Sequence, residues 1–79
     1  IGEVRNPGTK TFTSEKVTIV DVIAASGGFG DDGKRNDILV IREDAGNRSV
    51  HKIDFRDAHF YNSPVYLMQQ NDLVVVGMS

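Results

Sequence analysis

The sequence predicts an α+β domain in which one short helix packs across a mixed sheet of four to five strands. Several β-branched runs are bounded by turn residues, and only one segment carries both the start and the stop signals of a helix. The 79 residues, 39% hydrophobic and 25% charged, have the balance of one small folded domain. Such a chain buries only about 60% of the surface that it exposes when unfolded, so we expect it to gain stability from neighbours.

The first predicted element is a hairpin over residues 2–13. Its turn, Asn6-Pro7-Gly8-Thr9, has proline at the second position and glycine at the third, which is typical of a type II turn. Residues 10–13 then alternate polar and apolar side chains and return the chain as a second strand.

A helix is predicted over residues 19–26. Thr18 at the N-cap, with Asp21 three residues later, comes close to a capping box. Gly27 and Gly28 supply a left-handed stop. The stripe that we expect to face the sheet has helical spacing: Val20, Ile23, Ala24 and Gly27.

A second hairpin follows a surface loop at residues 29–37. Its strands are predicted at residues 38–43 and 48–55, joined by the turn residues 44–47. On the return strand, His51, Ile53 and Phe55 share one face. Val50, Lys52 and Asp54 share the other. After an irregular stretch at residues 56–64, a brief strand is predicted at 65–67. A last strand at 73–76 is expected to be buried on both sides. This order of elements is that of a β-grasp domain.

Composition and charge argue against several classes of protein. Nine Lys and Arg against eleven Asp and Glu give a net charge of -2, without a basic block for nucleic acid. No apolar run approaches the ~20 residues of a membrane-spanning helix. The chain has no cysteine, which excludes disulfides and thiolate metal sites.

The sequence context does not support a catalytic, cofactor or metal site at any of the motif matches. Residues 28–33 match G-x-G-x-x-G, but these glycines follow a helix and precede a strand, the reverse of a dinucleotide-binding turn. His51 and His59 have no third metal ligand in obvious reach. The serines lack the context of a nucleophile elbow. We therefore predict no enzyme activity, no cofactor and no metal.

The candidate contact residues lie in and after the irregular stretch. Phe60, Tyr61 and Tyr66 occur close to Gln69 and Gln70. Tyrosine beside amide side chains suits a sugar-binding surface, where a ring lies under a pyranose and amides bind its hydroxyls. The same residues equally suit a protein–protein contact, or the rings could simply cover an edge of the sheet.

Four motifs occur together in the order of a known family. They are the G-x-V-x-x-P-G opening at residues 2–8, A-x-G-G at residues 25–28, residues 36–42, and residues 66–76 with Asn71-Asp72 before the last strand. Over essentially its whole length the chain resembles the SLBB domain, the soluble ligand-binding β-grasp module, as found in Wza-type polysaccharide export proteins. Residues 40–42 and 52–54, with the turn at Gly46, look most like versions from Bacteroides-type bacteria.

The residues that match family positions all have structural roles in turns or at the helix stop: Gly2, Pro7, Gly8, Gly27, Gly28, Asn71 and Asp72. Two departures weaken the tight-turn argument. Gln70 stands where proline is common, and the last strand is followed by Gly77-Met78-Ser79 where a proline often follows.

The resemblance implies a place in an export machine. We expect residues 1–79 to be a single domain cut from a longer protein, since the chain begins at Ile1 without an initiator Met. The resemblance places that protein in the periplasm, associated with the outer membrane. It also implies rings made of copies of the protein, which form a conduit for capsular polysaccharide or exopolysaccharide. Their partner is an inner-membrane co-polymerase of the tyrosine-kinase type.

Two functions are then open for the module itself. It is a building block of the ring wall, or it holds the exported saccharide directly through Tyr61, Tyr66, Gln69 and Gln70. The candidate glycan or subunit contacts are Arg42, Phe60, Tyr61, Tyr66, Gln69 and Gln70. If assembly is the role, Tyr61→Ala or Arg42→Ala should impair ring formation without unfolding the domain.

Overall fold

The computed structural model describes residues 16–31 and 33–78. Helix α1 spans Ile19–Ala25, and strands β1, β2 and β3 span Gly33–Asp44, Asn47–Ile53 and Leu73–Met78. One turn of 3-10 helix, Phe60–Asn62, lies between β2 and β3. A single helix beside an antiparallel sheet confirms the α+β class for this part of the chain. No helix in the described ranges is long and apolar enough to cross a membrane.

The three described strands form an antiparallel sheet in the order β2-β1-β3. Ile38 of β1 lies opposite Ile53 of β2 on one side and Val76 of β3 on the other. The first predicted hairpin, with Gly2, Pro7 and Gly8, lies outside the described residues.

Several predicted strand bounds are wrong. β2 ends at Ile53 rather than Phe55, and β3 continues to Met78 rather than ending at Val76. Residues 65–67 form no strand, and Leu67 instead makes an isolated antiparallel bridge to Thr18. β1 begins at Gly33, inside the predicted loop, because Gly33 pairs with Met78 across an irregular register. The N–H of Phe55 donates to the carbonyl of Arg35 at 2.8 Å, which extends the contact between the two chain segments past the end of β2.

Both ends of α1 confirm the predicted caps. The Asp21 N–H donates to the Thr18 hydroxyl at 3.1 Å, and the Thr18 N–H donates to the Asp21 carboxylate at 2.9 Å, which completes a capping box. At the other end, the Gly28 N–H donates to the carbonyl of Ile23 and the Gly27 N–H to that of Ala24. This is a Schellman motif, and Gly27 holds the positive φ of 92° that it requires.

The predicted sheet-facing stripe of α1 is confirmed at Ile23 but wrong at its other positions. Ile19 and Ile23 are buried, whereas Val20 is 41% exposed and Ala24 is also exposed. The Ile19 N–H donates to the carbonyl of Tyr66 at 3.0 Å, which fixes the entry of the helix and turns Ile19 inward. The rotation also buries the two larger side chains, which gain more from leaving water than valine or alanine.

The core lies between α1 and one face of the sheet. It is a cluster of buried aliphatic side chains: Ile19, Ile23, Ile38, Val40, Ile53, Val65 and Val76. The last strand is not buried on both sides as predicted, because its first residue, Leu73, is 44% exposed.

The opposite face of the sheet is also aliphatic. Side chains alternate between the two faces of a strand, so the neighbours of the core residues point away from α1. Ile41 lies between Val50 and Leu73 across the strands, and Leu39 lies opposite Val75. We call these five residues the outer face. Val50 is 59% exposed, and Leu39, Ile41 and Val75 are partly buried.

The turn between β1 and β2 has two central residues, Ala45 and Gly46. Both have positive φ, 51° and 81°, which is the geometry of a type I′ hairpin turn. This conformation suits the twist of an antiparallel pair. It suits glycine better than alanine, because the side-chain Cβ of an L-residue crowds the backbone there.

Candidate functional site

Apart from Arg42 on β1, the candidate contact residues lie on the chain between β2 and β3, which is built from consecutive turns. The Phe60 N–H donates to the carbonyl of Asp57, and the Ser63 N–H donates to that of Phe60. The Asp57 carboxylate accepts the N–H of His59 at 2.8 Å. These short-range hydrogen bonds satisfy backbone groups of this connection that have no strand partner. They also fix the directions of its aromatic side chains.

The aromatic residues form the predicted cluster, with Phe60 at its centre. The Phe60 ring centroid lies 5.0 Å from that of Phe55, 5.9 Å from that of Tyr66 and 6.3 Å from that of Tyr61. Phe60 and Tyr66 pack against the core, whereas Tyr61 is 54% exposed. Of the three candidate rings in this cluster, that of Tyr61 therefore offers the broadest open surface to a partner.

Arg42 has a different position from the other candidates. Its guanidinium forms a two-pronged contact with Asp72, from Nε to Oδ1 at 3.0 Å and from Nη2 to Oδ2 at 2.8 Å. Nη2 also donates to the carbonyl of Leu67 at 3.0 Å, and Nη1 lies 3.5 Å from the carbonyl of Pro64. The Arg42 side chain is 13% exposed and that of Asp72 is 2% exposed. Arg42 thus ties residues 64–72, which we call the return segment, to the middle strand.

The return segment ends in a turn that carries the two glutamines. The Asp72 N–H donates to the carbonyl of Gln69 at 3.1 Å, and Asn71 has a φ of 70°. Positive φ at the third position is typical of a type II turn, for which asparagine is a good residue. The Asp72 carboxylate also accepts the Gln69 N–H at 2.8 Å. Gln69 and Gln70 are exposed at the tip of this turn.

The ion pair shifts the pKa values of both partners. Burial acts to raise the pKa of Asp72, but hydrogen bonds from the Arg42 guanidinium and the Gln69 N–H outweigh it and hold that pKa below its ordinary value. The hydrogen bond to Asp72 raises the pKa of Arg42. Both groups are therefore charged at neutral pH. No buried side-chain polar atom lacks a partner among the described residues.

Comparison with known protein families matches the SLBB domain over residues 1–76. The chain belongs to the SLBB domain family. No curated protein matches it. SLBB domains are non-catalytic binding modules with a β-grasp-like fold, and they occur in periplasmic polysaccharide-export proteins.

Four of the residues that match family positions lie in the described part of this SLBB domain, and each lies in the turn or helix end where the sequence predicts it. Gly27 and Gly28 end α1, Asn71 holds the turn before β3, and Asp72 closes that turn. Asp72 has the additional partner Arg42, which the sequence did not indicate.

The structure brings the candidate contacts of the SLBB domain together in two groups. Phe60, Tyr61 and Tyr66 share the aromatic cluster, whereas the two glutamines stand on the turn that Asp72 closes. No hydrogen bond or ring contact joins the glutamine side chains to the rings within the described ranges. Their roles as glycan or subunit contacts stay predictions.

The expectation that Arg42→Ala leaves the domain folded does not fit the structure. Its guanidinium is committed to Asp72 and to two backbone carbonyls. Removing it would leave the carboxylate of Asp72, which is almost fully buried, without its counter-ion. Sequence reasoning missed this pair because the partners are 30 positions apart and nothing local links them.

The outer face was also missed, although a signal for it exists. Residues 38–41 are four consecutive aliphatic residues in β1. In a strand, such a run must place apolar side chains on both faces of the sheet. Only one of those faces is covered by α1.

The glycine motif at residues 28–33 and the two histidines lie in the elements that the sequence indicated. Gly28 follows the helix and Gly33 begins β1, so the G-x-G-x-x-G match lies on a helix-to-strand connection. His51 lies on β2 with Nε2 at 3.1 Å from the Ser49 hydroxyl, and the His59 ring lies 6.3 Å from that of Tyr61. Among the described residues no three His, Asp or Glu side chains are grouped as metal ligands are.

Proposed function

We propose that this SLBB domain is a non-catalytic module of a periplasmic, outer-membrane-associated polysaccharide export protein. In this proposal it contributes to the wall of an export ring through contacts with other domains. The ring is made of copies of the same protein and works with an inner-membrane co-polymerase of the tyrosine-kinase type. The single observation that supports the assembly role is the outer face.

The outer face departs from the usual pattern of a sheet that has one face in water. Such a sheet normally alternates apolar residues on the core side with polar residues on the other. Here the middle of the outer face is aliphatic across all three described strands. Val50 and Leu73, which flank Ile41 on either side, are 59% and 44% exposed.

Polar groups border this aliphatic surface. Arg48 and Glu43 form an exposed ion pair of 2.8 Å at the end near the hairpin turn, and exposed Lys52 lies opposite Leu39. An apolar centre with a charged rim is the usual anatomy of a protein–protein contact. Each Å² of apolar surface covered by a neighbour contributes about 25 cal/mol, which matters in a domain of this size.

The assembly role is tested by placing a charge on the outer face. Val50→Lys and Leu73→Lys change exposed positions, so we expect the isolated domain to melt as the wild type does. In the full export protein, we expect either variant to reduce ring formation, measured by size-exclusion chromatography with light scattering. Burying a lysine against an aliphatic surface leaves its charge without a partner.

A matched control is Leu67→Lys. Leu67 is 49% exposed but lies on the return segment, away from the outer face. Normal rings with both outer-face variants would contradict the proposal. Loss of rings with Leu67→Lys alone would move the contact to the return segment.

A second function is favoured by the exposure of Tyr61. Its ring is 54% exposed and is supported from behind by Phe60, so a pyranose could lie against it at little entropic cost. In this alternative, the SLBB domain contacts the exported glycan directly. An NMR titration of the isotope-labelled domain with oligosaccharides of that glycan tests it. Saturable shifts around Tyr61 that are lost in Tyr61→Ala would support direct binding. No response would contradict it.

A further inference from the structure

A shallow groove of about 430 Å³ lies beside the C-terminal end of α1, on the opposite side of the described sheet from the outer face. Three side chains of the helix, Val20, Ile23 and Ala24, form one wall. The two glycines after the helix and the rings of Phe29 and Phe55 form the rest. Its volume is within the range of small-molecule sites.

The two rings give the groove a defined wall. The Phe29 and Phe55 centroids are 5.8 Å apart with their planes at 79°, an edge-to-face pair. Phe55 is held by its N–H bond to the carbonyl of Arg35 at 2.8 Å. At Gly28, a Cβ would meet no atom within 4 Å, so the space beside the glycines is open.

Among the described residues, Arg35 is the one charged residue that lines the groove. Its guanidinium carbon lies 5.7 Å from the centre of the Phe29 ring, within the range of a cation–π contact. Many exposed arginines bind a neighbouring carboxylate. Arg35, in contrast, has no hydrogen bond or ion pair from its guanidinium to any described residue. Its N–H donors are therefore not bound to any described residue, while the guanidinium carbon lies over the Phe29 ring.

An open guanidinium at the edge of an apolar groove selects a particular kind of ligand. Guanidinium binds a carboxylate through two parallel hydrogen bonds. The aliphatic and aromatic walls suit a body rich in C–H groups. Within the part of the chain that the structure describes, no acidic side chain lines the groove to oppose an anion. We infer that this groove is a binding site for a small organic carboxylate whose apolar or C–H-rich part lies against Phe29 and Phe55.

Two sources could supply this chemistry, an acidic sugar or a short fatty acid, and NMR titration separates them. The isotope-labelled chain is titrated with sodium glucuronate and with sodium hexanoate, each compared with its uncharged match, glucose or hexanol. We expect a carboxylate to give saturable shifts at Ala24, Gly27 and Gly28. The uncharged match should move these signals much less. The stronger of the two carboxylates identifies the source.

Two variants establish whether Arg35 binds the carboxylate. Arg35→Gln removes the charge and should weaken binding by at least about tenfold, the loss expected for a charge-assisted hydrogen bond. Lys52→Gln removes an exposed cation from the far face of the sheet and should leave the affinity unchanged. Because the whole chain has a net charge of -2, general attraction of anions would not produce this difference.

Three results would overturn the site. These are an absence of saturable shifts with both carboxylates, equal shifts with the uncharged matches, or equal affinity in wild type and Arg35→Gln. The site does not depend on the proposed assembly role. Val50→Lys and Leu73→Lys test that role separately and leave the groove intact.

Discussion

The hairpin turn between β1 and β2 and the return segment are held in place in opposite ways. The turn uses only the backbone of its own residues, with Ala45 and Gly46 at positive φ. The return segment is held by Arg42, which lies on a strand 22 to 30 positions earlier in the chain, and by the backbone bridge from Leu67 to Thr18. A substitution in a locally stabilised turn affects only a small part of the structure. A substitution at a long-range contact affects several elements, because they depend on the same side chain.

The largest expected effect comes from breaking the ion pair between Arg42 and Asp72. Arg42→Ala should lower the free energy of unfolding by about 3 kcal/mol, because it leaves the carboxylate of Asp72 buried and unpaired. Urea denaturation measures the change. Arg48→Ala is the matched control, since its ion pair with Glu43 is largely exposed and should be worth less than about 1 kcal/mol. Equal losses in the two variants would mean that Arg42 does not hold the return segment.

The same pair should make stability depend on acid. The folded domain holds the pKa of Asp72 below its ordinary value, so the stabilisation is complete above about pH 4. It is lost as the pH falls through the lower, folded-state pKa, because the unfolded chain then binds the proton more readily. We expect the urea midpoint to decrease in this range.

Two variants separate Asp72 from the other acidic groups. Asp72→Asn should flatten the acid dependence. Asp54 also has a lowered pKa, through its hydrogen bonds from Arg56, but Asp54→Asn should keep most of the dependence, because that carboxylate is exposed to solvent. A profile unchanged in Asp72→Asn would contradict the assignment.

A smaller effect is expected from the local cap of α1. Thr18→Ala removes the hydroxyl that accepts the Asp21 N–H and should cost about 1 kcal/mol, measured by thermal or urea unfolding. Thr18→Ser keeps that acceptor and should lose much less. If serine and alanine were equally destabilising, the hydroxyl would not be the source of the stability.

The smallest effect is a gain at the hairpin turn. Ala45→Gly relieves the crowding of a Cβ at a φ of 51° and should raise the stability by roughly 0.5 kcal/mol, after the extra flexibility of glycine in the unfolded chain is subtracted. Ala58→Gly is the control, because Ala58 is exposed and has no positive φ. A loss of stability in Ala45→Gly would show that the turn tolerates alanine without strain.

The parts of the domain that the sequence predicts are those with short-range causes. Thr18 and Asp21 are three residues apart, and Gly27 and Gly28 directly follow the helix that they end. The clustering of Phe60, Tyr61 and Tyr66 follows from their closeness in the chain. The sequence could not predict the rotation of α1, because that depends on the bond from Ile19 to a carbonyl more than 40 residues later.

The candidate site follows the same rule. Exposed Tyr61 and the turn with Gln69 and Gln70 lie in the region that the sequence indicates. The outer face and the groove at Arg35 combine residues from separate elements. The aliphatic run at residues 38–41 indicates a second apolar face. The residues that complete this face, and those that line the groove, are brought together only by the register of the strands and the packing of α1.

The bridge between Thr18 and Leu67 has a consequence for the order of folding. The β1–β2 hairpin closes over two residues and can form within about 1–10 μs, whereas the bridge must close a loop that includes most of the domain. The return segment should therefore dock after the rate-limiting barrier. A substitution at Arg42 should then speed unfolding with little effect on refolding, so that the ion pair sets the lifetime of the folded domain.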